Sequence, residues 1–318
     1  LEVCLSHDFK IRENPLYHLI LGIIQKHQQK LEEALKSFKM AMTICGYFST
    51  DEMTSKTTKS SELGLADLVS LFLETVNTYT LMNESNEANK LMQFAMKEFE
   101  ITLEIGRIII ANADLYLAQG NTVKSLDLLN SIKSDQNYYL QAKTKMANIY
   151  LMNKKDRLSF AQCFKELVEN NPGPDNYIML GDAYMNIQEP DKAVEAYKQA
   201  VRQDPNDPQL ASKLGRSYVK THQYKKAIAY YKEALASPSN YQLRLDLAEL
   251  YLKLKQYSNA EQIILEDIES NQKTQDDIAK LQTRTKLYLL LSRTHEKSGN
   301  INKSLSTLKE ARDNQLRI

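Results

Sequence analysis

The sequence has no tryptophan and, in 318 residues, only nine glycines, seven prolines and three cysteines. So little Gly and Pro leaves few of the breaks that separate short strands, which excludes most all-β sandwiches and barrels. Cys4, Cys45 and Cys163 are odd in number and unpaired in spacing, so they exclude a disulfide framework and read as reduced thiols in a cytosolic compartment. No apolar run reaches the roughly 18 residues of a spanning helix, so no direct membrane insertion is expected. No signal peptide is visible either. Neither charge sign dominates: 41 Lys+Arg stand against 40 Asp+Glu, a net +1, and the signs are interspersed. That balance argues against a surface that neutralises many phosphates, so no nucleic-acid partner is expected. The chain opens LEVCLSHDFK without a methionine, which is expected of an excerpt from a longer protein.

What remains is 42% apolar and 25% charged residues, arranged in long i, i+3, i+4 patterns that predict helix almost throughout. Shifting the chain by 34 residues lays Leu180-Gly181 on Leu214-Gly215 and Tyr184 on Tyr218. Ala193, Tyr197 and Ala200 fall on Ala227, Tyr231 and Ala234, and Pro205 on Pro238, one residue early. This period and these slots are the tetratricopeptide (TPR) pattern. The slots have a physical reason. Gly181 and Ala193 are expected on facing helices of one hairpin, where small side chains let the backbones approach. Tyr184 and Tyr197 are expected to fill the gaps beside them, and Pro205 stops the second helix.

Ala248, Tyr251 and Ala260 continue the register, Gly22 and Ala34 open it, and Ala88 and Ala147 mark copies between. The expected fold is all-α, a TPR α-solenoid: a right-handed superhelix of about eight helix-turn-helix repeats. Their expected bounds are 15–48, 69–102, 106–139, 140–173, 174–207, 208–240, 241–274 and 285–318. The fourth carries one extra residue in its turn and Phe160 at a small slot. Residues 1–14 read as the end of a preceding repeat, 49–68 as a loop insertion and 275–284 as a helical insertion.

No catalytic, cofactor or metal site is expected. His7, His18, His27, His222 and His295 are scattered, and none pairs with a Cys or carboxylate at metal or triad spacing. Cys163 reads as core, and Met92, Met96, Met146 and Met152 as gap-filling core residues. Candidate partner-binding residues lie on the first helices of three repeats: Asp182, then Lys213, Arg216 and Lys220, then Asp246 and Glu249. They would make a groove that changes sign from acidic to basic to acidic and could register a charged segment; ordinary charge mixing on a solvated face is the alternative. A clamp for a terminal carboxylate would use the positions of Ile178 and Asp182, Ser212 and Arg216, Gln242 and Asp246, and this set is unsuited to one.

The wording of the repeats goes beyond their slots. "LGDAYMNIQEPDKAVEAYKQAV", "ASKLGRSYVKTHQYKKAIAYYKEAL" and "LDLAELYLKLKQYSNAE", with "NPLYHLILG", "IIIANADLYLAQGN" and "KMANIYL" upstream, resemble the tetratricopeptide repeat protein 21 family. This is the large TPR subunit of the intraflagellar transport A complex. The resemblance covers essentially the whole chain. It implies a non-catalytic scaffold subunit that supports retrograde ciliary transport and ciliary entry of membrane-protein cargo. It also implies partners among the WD-repeat/TPR subunits of that complex, with ciliary cargo or adaptors as further candidates, and a location at the axoneme, the ciliary base and in cytoplasm. The competing expectations are a co-chaperone adaptor that binds peptide segments, or the TPR region of an enzyme whose catalytic domain lies outside this stretch.

Overall fold

A computed structural model describes residues 13–49, 52–53, 63–205, 207–235, 241–271 and 278–317. The readings of 1–12, of 50–51 and 54–62, of 272–277 and of Pro238 therefore lie outside the described residues. The chain forms two compact units, 1–163 and 164–318. The first contains α1 (Pro15–His27) with α2 (Leu31–Ile44), α3 (Leu65–Leu81) with α4 (Ser85–Glu98), α5 (Ile105–Ala118) with α6 (Thr122–Asn130), and α7 (Tyr139–Ile149). The division falls inside α8 (Arg157–Asn170). The second unit continues with α9 (Pro174–Asn186) and α10 (Pro190–Gln203), then α11 (Pro208–Lys220) and α12 (Tyr224–Ala234). It ends with α13 (Tyr241–Lys253), α14 (Tyr257–Asn271), α15 (Ile278–Lys297) and α16 (Ile301–Gln315).

Two boundaries differ from expectation. Helix α3 begins at Leu65, inside the segment read as loop, because Leu68 already lies on the buried stripe with Leu71, Phe72 and Thr75. Before it, β1 (Phe48–Ser49) and β2 (Glu52–Met53) pair antiparallel as a two-residue ladder. Prolines start helices here more than they stop them. Pro15, Pro174, Pro190 and Pro208 sit at the first helical positions, where the missing N–H has no intrahelical partner to lose. Asn14 and Asp207 cap two of these ends, accepting from the backbone N–H of Leu16 and Gln209 at 2.8 Å.

The turn inside each hairpin has one solution. A single residue adopts positive φ: Gln29, Asn83, Gly120, Lys155, Gln188, His222, Lys255 and Gly299 in the eight turns from α1–α2 to α15–α16. The residue after it donates its N–H to a carbonyl five positions back, a Schellman closure. From the second hairpin on, that acceptor is the aromatic slot of the first helix: Tyr79, Tyr116, Tyr184, Tyr218, Tyr251 or His295, at 2.9 Å. The α7–α8 turn carries the extra residue and shows how it is absorbed. There Asp156 donates to Tyr150, six positions back, and Tyr150–Lys154 winds as one π-helical turn. The same turn corrects the reading of Met152 as core: its side chain is 74% exposed.

Only two of these left-handed residues are glycine, although a side chain in that conformation costs roughly 1–2 kcal/mol. Gln188→Gly and Lys255→Gly are therefore expected to stabilise the protein by about 0.5 kcal/mol each after the larger entropy loss of glycine is deducted. Thermal melts of the double variant check this; a lower melting temperature would show the turns to be unstrained.

The glycines inside first helices have another role. A Cβ built on Gly22, Gly181 or Gly215 would come within 2.4, 2.4 or 2.3 Å of ring atoms of Phe38, Tyr197 or Tyr231, each sixteen residues on and almost fully buried. The ring thus lies over the glycine rather than beside it, and the space expected for backbone approach is filled by an aromatic. Where Val76, Ala113, Ala248 or Ser292 takes the glycine's place, the residue sixteen on is Met92, Leu129, Ile264 or Leu308, never aromatic. The facing slots Ala34, Ala88, Ala193, Ala227 and Ala260 are fully buried. In the first unit the core gathers Phe38, Tyr47, Phe72 and Phe99, with Phe72 meeting Tyr47 and Phe99 edge-on at 5.2 and 5.4 Å.

Candidate protein-binding face

The charged candidates stand on α9, α11 and α13, consecutive first helices of the second unit. Asp182 follows Gly181, so the ring that covers the glycine delivers its hydroxyl to the carboxylate: Tyr197 Oη donates to Asp182 Oδ1 at 2.5 Å. Lys213 Nζ donates to the other oxygen of Asp182. One hairpin along, Asp246 is buried, with a side chain 3% exposed. It accepts from Arg216 Nη2 at 2.7 Å and Nε at 3.2 Å, from Gln242 Nε2 at 3.2 Å and from Ser212 Oγ. The guanidinium's bond to that carboxylate raises its already high pKa.

Four of the six candidates are thus engaged with one another. Lys213–Asp182 ties α11 back to α9, and Arg216–Asp246 ties it forward to α13. The first unit uses the same device: Lys26–Glu74 joins α1 to α3, and Lys145–Asp114 joins α7 to α5. The alternating signs along the face are ion pairs between neighbouring hairpins. Lys220 and Glu249 make no ion pair among the described residues and stay exposed. The positions of a carboxylate clamp are closed, since Ser212, Arg216, Gln242 and Asp246 bond mutually. His295 is buried, with Nε2 at 3.9 Å from Glu261 Oε1, and Cys163 is buried and forms no disulfide among the described residues. Among the described residues no three His, Cys, Asp or Glu side chains converge as metal ligands would.

Beside Asp246 a cavity of about 290 Å³ opens between α11 and α13, lined by Arg216, Lys220, Tyr231, Glu249 and Lys253 among others. Lys253 escaped the sequence reading, although it follows Ala248 by five residues just as Lys220 follows Gly215.

Burial, then the hydrogen bond to Asp182 and its charge, raise the Tyr197 hydroxyl well above its ordinary pKa of 10.0; burial and the nearby Asp246 do the same to Tyr231. A pKa raised in the folded state contributes stability that is complete below the unfolded value and lost as pH climbs toward the folded one. Melting temperature is therefore expected to fall above about pH 10. A Tyr197→Phe, Tyr231→Phe variant should show a smaller fall between neutral pH and that range. An equal fall in the variant would assign the effect to other groups.

Helical hairpins repeated at this period, each tied to the next, define a tetratricopeptide-repeat protein. Known proteins place it further. A family model described as "Tetratricopeptide repeat protein 21 ARM repeat" matches residues 9–167, and "Tetratricopeptide repeat protein 21 forth ARM domain" matches 210–318. A TPR repeat model matches 181–221. The chain is 41% identical over all 318 residues to Tetratricopeptide repeat protein 21B of Mus musculus and 39% identical over the same length to Tetratricopeptide repeat protein 21A of Homo sapiens. It spans 24% of the length of each. The chain belongs to the tetratricopeptide repeat protein 21 family. Among solved structures, a crystal structure of MamA protein aligns with TM-score 0.42 and 16% identity over 57% of this chain and 94% of that one, a likeness too slight to argue from. Among the described residues no helix is long and apolar enough to cross a membrane.

Proposed function

We propose that this stretch is part of a non-catalytic scaffold subunit of the intraflagellar transport A complex. In that role it supports retrograde transport along the axoneme and ciliary entry of membrane-protein cargo. The observation that carries the reading is family membership, matched along the whole chain at about 40% identity. The architecture supports it: within each unit, hairpins tied to their neighbours hold their first helices in fixed register, which is what a scaffold supplies. The partners would be the WD-repeat/TPR subunits of the complex, with ciliary cargo or adaptors beside them, at the axoneme, the ciliary base and in cytoplasm.

The test is affinity purification of the tagged full-length parent from ciliated cells, followed by cross-linking and mass spectrometry. Cross-links from residues 13–317 to WD-repeat subunits are expected. Recovery of chaperones alone, or of no ciliary protein, would overturn the assignment.

A further inference from the structure

The groove beside Asp246 continues past α13. A second opening, of about 550 Å³, lies between α13 and α15 and is lined by Gln242, Leu245, Glu249, Lys286, Leu289 and Arg293, among others. Glu249 borders both openings, so one trough crosses α11, α13 and α15. Its charges do not balance. Arg216 is matched by Asp246. That leaves Lys220, Lys253, Lys286 and Arg293, all exposed, against the single carboxylate of Glu249. Lys220, Lys286 and Arg293 make no ion pair among the described residues, and Lys253 Nζ lies over the Tyr224 ring at 5.5 Å. Helix-end stabilisation accounts for Lys220 and Lys253, which stand in the last turns of α11 and α13. It does not account for Lys286, which lies mid-helix in α15. In a chain of net charge +1 this is a local excess. Between the cations, Leu289 is 49% exposed above buried Leu245 and Leu290, so the trough also offers an apolar foothold.

We propose that this trough seats an acidic segment of a partner protein, rich in Asp and Glu, with a leucine-sized side chain that reaches Leu289. The inference rests on the scaffold reading and names the chemistry of one partner. Separate cations around an apolar step suit discrete carboxylates. A nucleic-acid backbone fits less well: Glu249 stands mid-trough, and the lining tyrosine, Tyr231, is buried and offers no face for stacking.

The probe is a fluorescein-labelled synthetic peptide of repeated Glu-Glu-Leu-Asp units, titrated with the purified full-length parent and read by anisotropy. Saturable binding that weakens as salt rises is expected. Lys286→Glu with Arg293→Glu should weaken it by about tenfold or more. Lys232→Glu with Lys309→Glu, the same charge change on exposed positions of the second helices α12 and α16, should leave it unchanged. Far-UV circular dichroism confirms that both variants are folded. Absence of saturable binding, equal loss in both variants, or displacement of the peptide by single-stranded DNA would overturn the proposal. Failure here with ciliary subunits still recovered sinks only the acidic segment. Peptide binding with no ciliary protein recovered sinks only the ciliary assignment.

Discussion

Arg216→Ala is expected to lower stability by about 3 kcal/mol, although Arg216 is largely exposed and exposed ion pairs are commonly worth about 0–1 kcal/mol. The reason is the partner. The Asp246 side chain is 3% exposed against 57% for Arg216, so truncating the arginine leaves an enclosed carboxylate without its charged partner, reached by water only through the cavity beside it. Ser212 and Gln242 still donate to it, which keeps the cost at the lower end for a broken buried pair. Asp246→Asn is expected to cost less, about 1–2 kcal/mol, because the freed guanidinium turns to solvent and the amide keeps some of the hydrogen bonds. The asymmetry is the diagnostic quantity, read from urea midpoints followed by circular dichroism. Equal, small losses in the two variants would mean that Asp246 is hydrated and the tie between α11 and α13 is weak.

Gly181→Ala is expected to destabilise by about 1–3 kcal/mol, since its Cβ would clash with the Tyr197 ring at 2.4 Å. An added methyl on a helix normally helps, so the sign alone is informative. The stronger test pairs it with Tyr197→Leu. Together the two changes recreate the small-plus-aliphatic combination that Ala248 and Ile264 already use two repeats along the chain. The double variant should be more stable than the two single losses predict, with a coupling of about 1–2 kcal/mol. Strict additivity in a double-mutant cycle would show that ring and glycine do not share their space.

The hairpins are legible in the sequence because each slot has a size, and sizes recur at fixed spacing. Gly181, Tyr184, Ala193 and Tyr197 find their likenesses in Gly215, Tyr218, Ala227 and Tyr231. What the spacing does not reveal is which neighbour fills which gap. The link between Gly181 and Tyr197 emerges only with the rings in place, although the exchange of aromatic for a non-aromatic apolar side chain in four of the five repeats that lack the glycine was present in the letters; the fourth repeat, with Ala147 and Phe164, is the exception. The turns are less legible. Gln29, Gln188 and Lys255 have no preference for positive φ, and their conformation is imposed by the closing bond to the first helix; Gly120 and Gly299 announce it, and Asn83 and His222 do so more weakly. The candidate face carries the charges the sequence shows, and what the sequence does not show is that four of its six residues meet one another across neighbouring hairpins. Lys213 and Asp182 stand 31 residues apart and Arg216 and Asp246 30 apart. Whether such charges meet or face solvent depends on how far one helix is rotated against the next, which side-chain type does not encode. Lys286 and Arg293 escaped notice because α15 starts outside the even repeat spacing.

The ties along the first helices each join one hairpin only to the next. Within each unit, load passing from one hairpin to the next is therefore borne by these ion pairs together with the apolar packing between the helices. Around α11 the load meets a buried carboxylate on one side and a second ion pair on the other. A force-extension experiment should show the hairpins of this unit detaching one after another, with the pair flanking α11 holding longest.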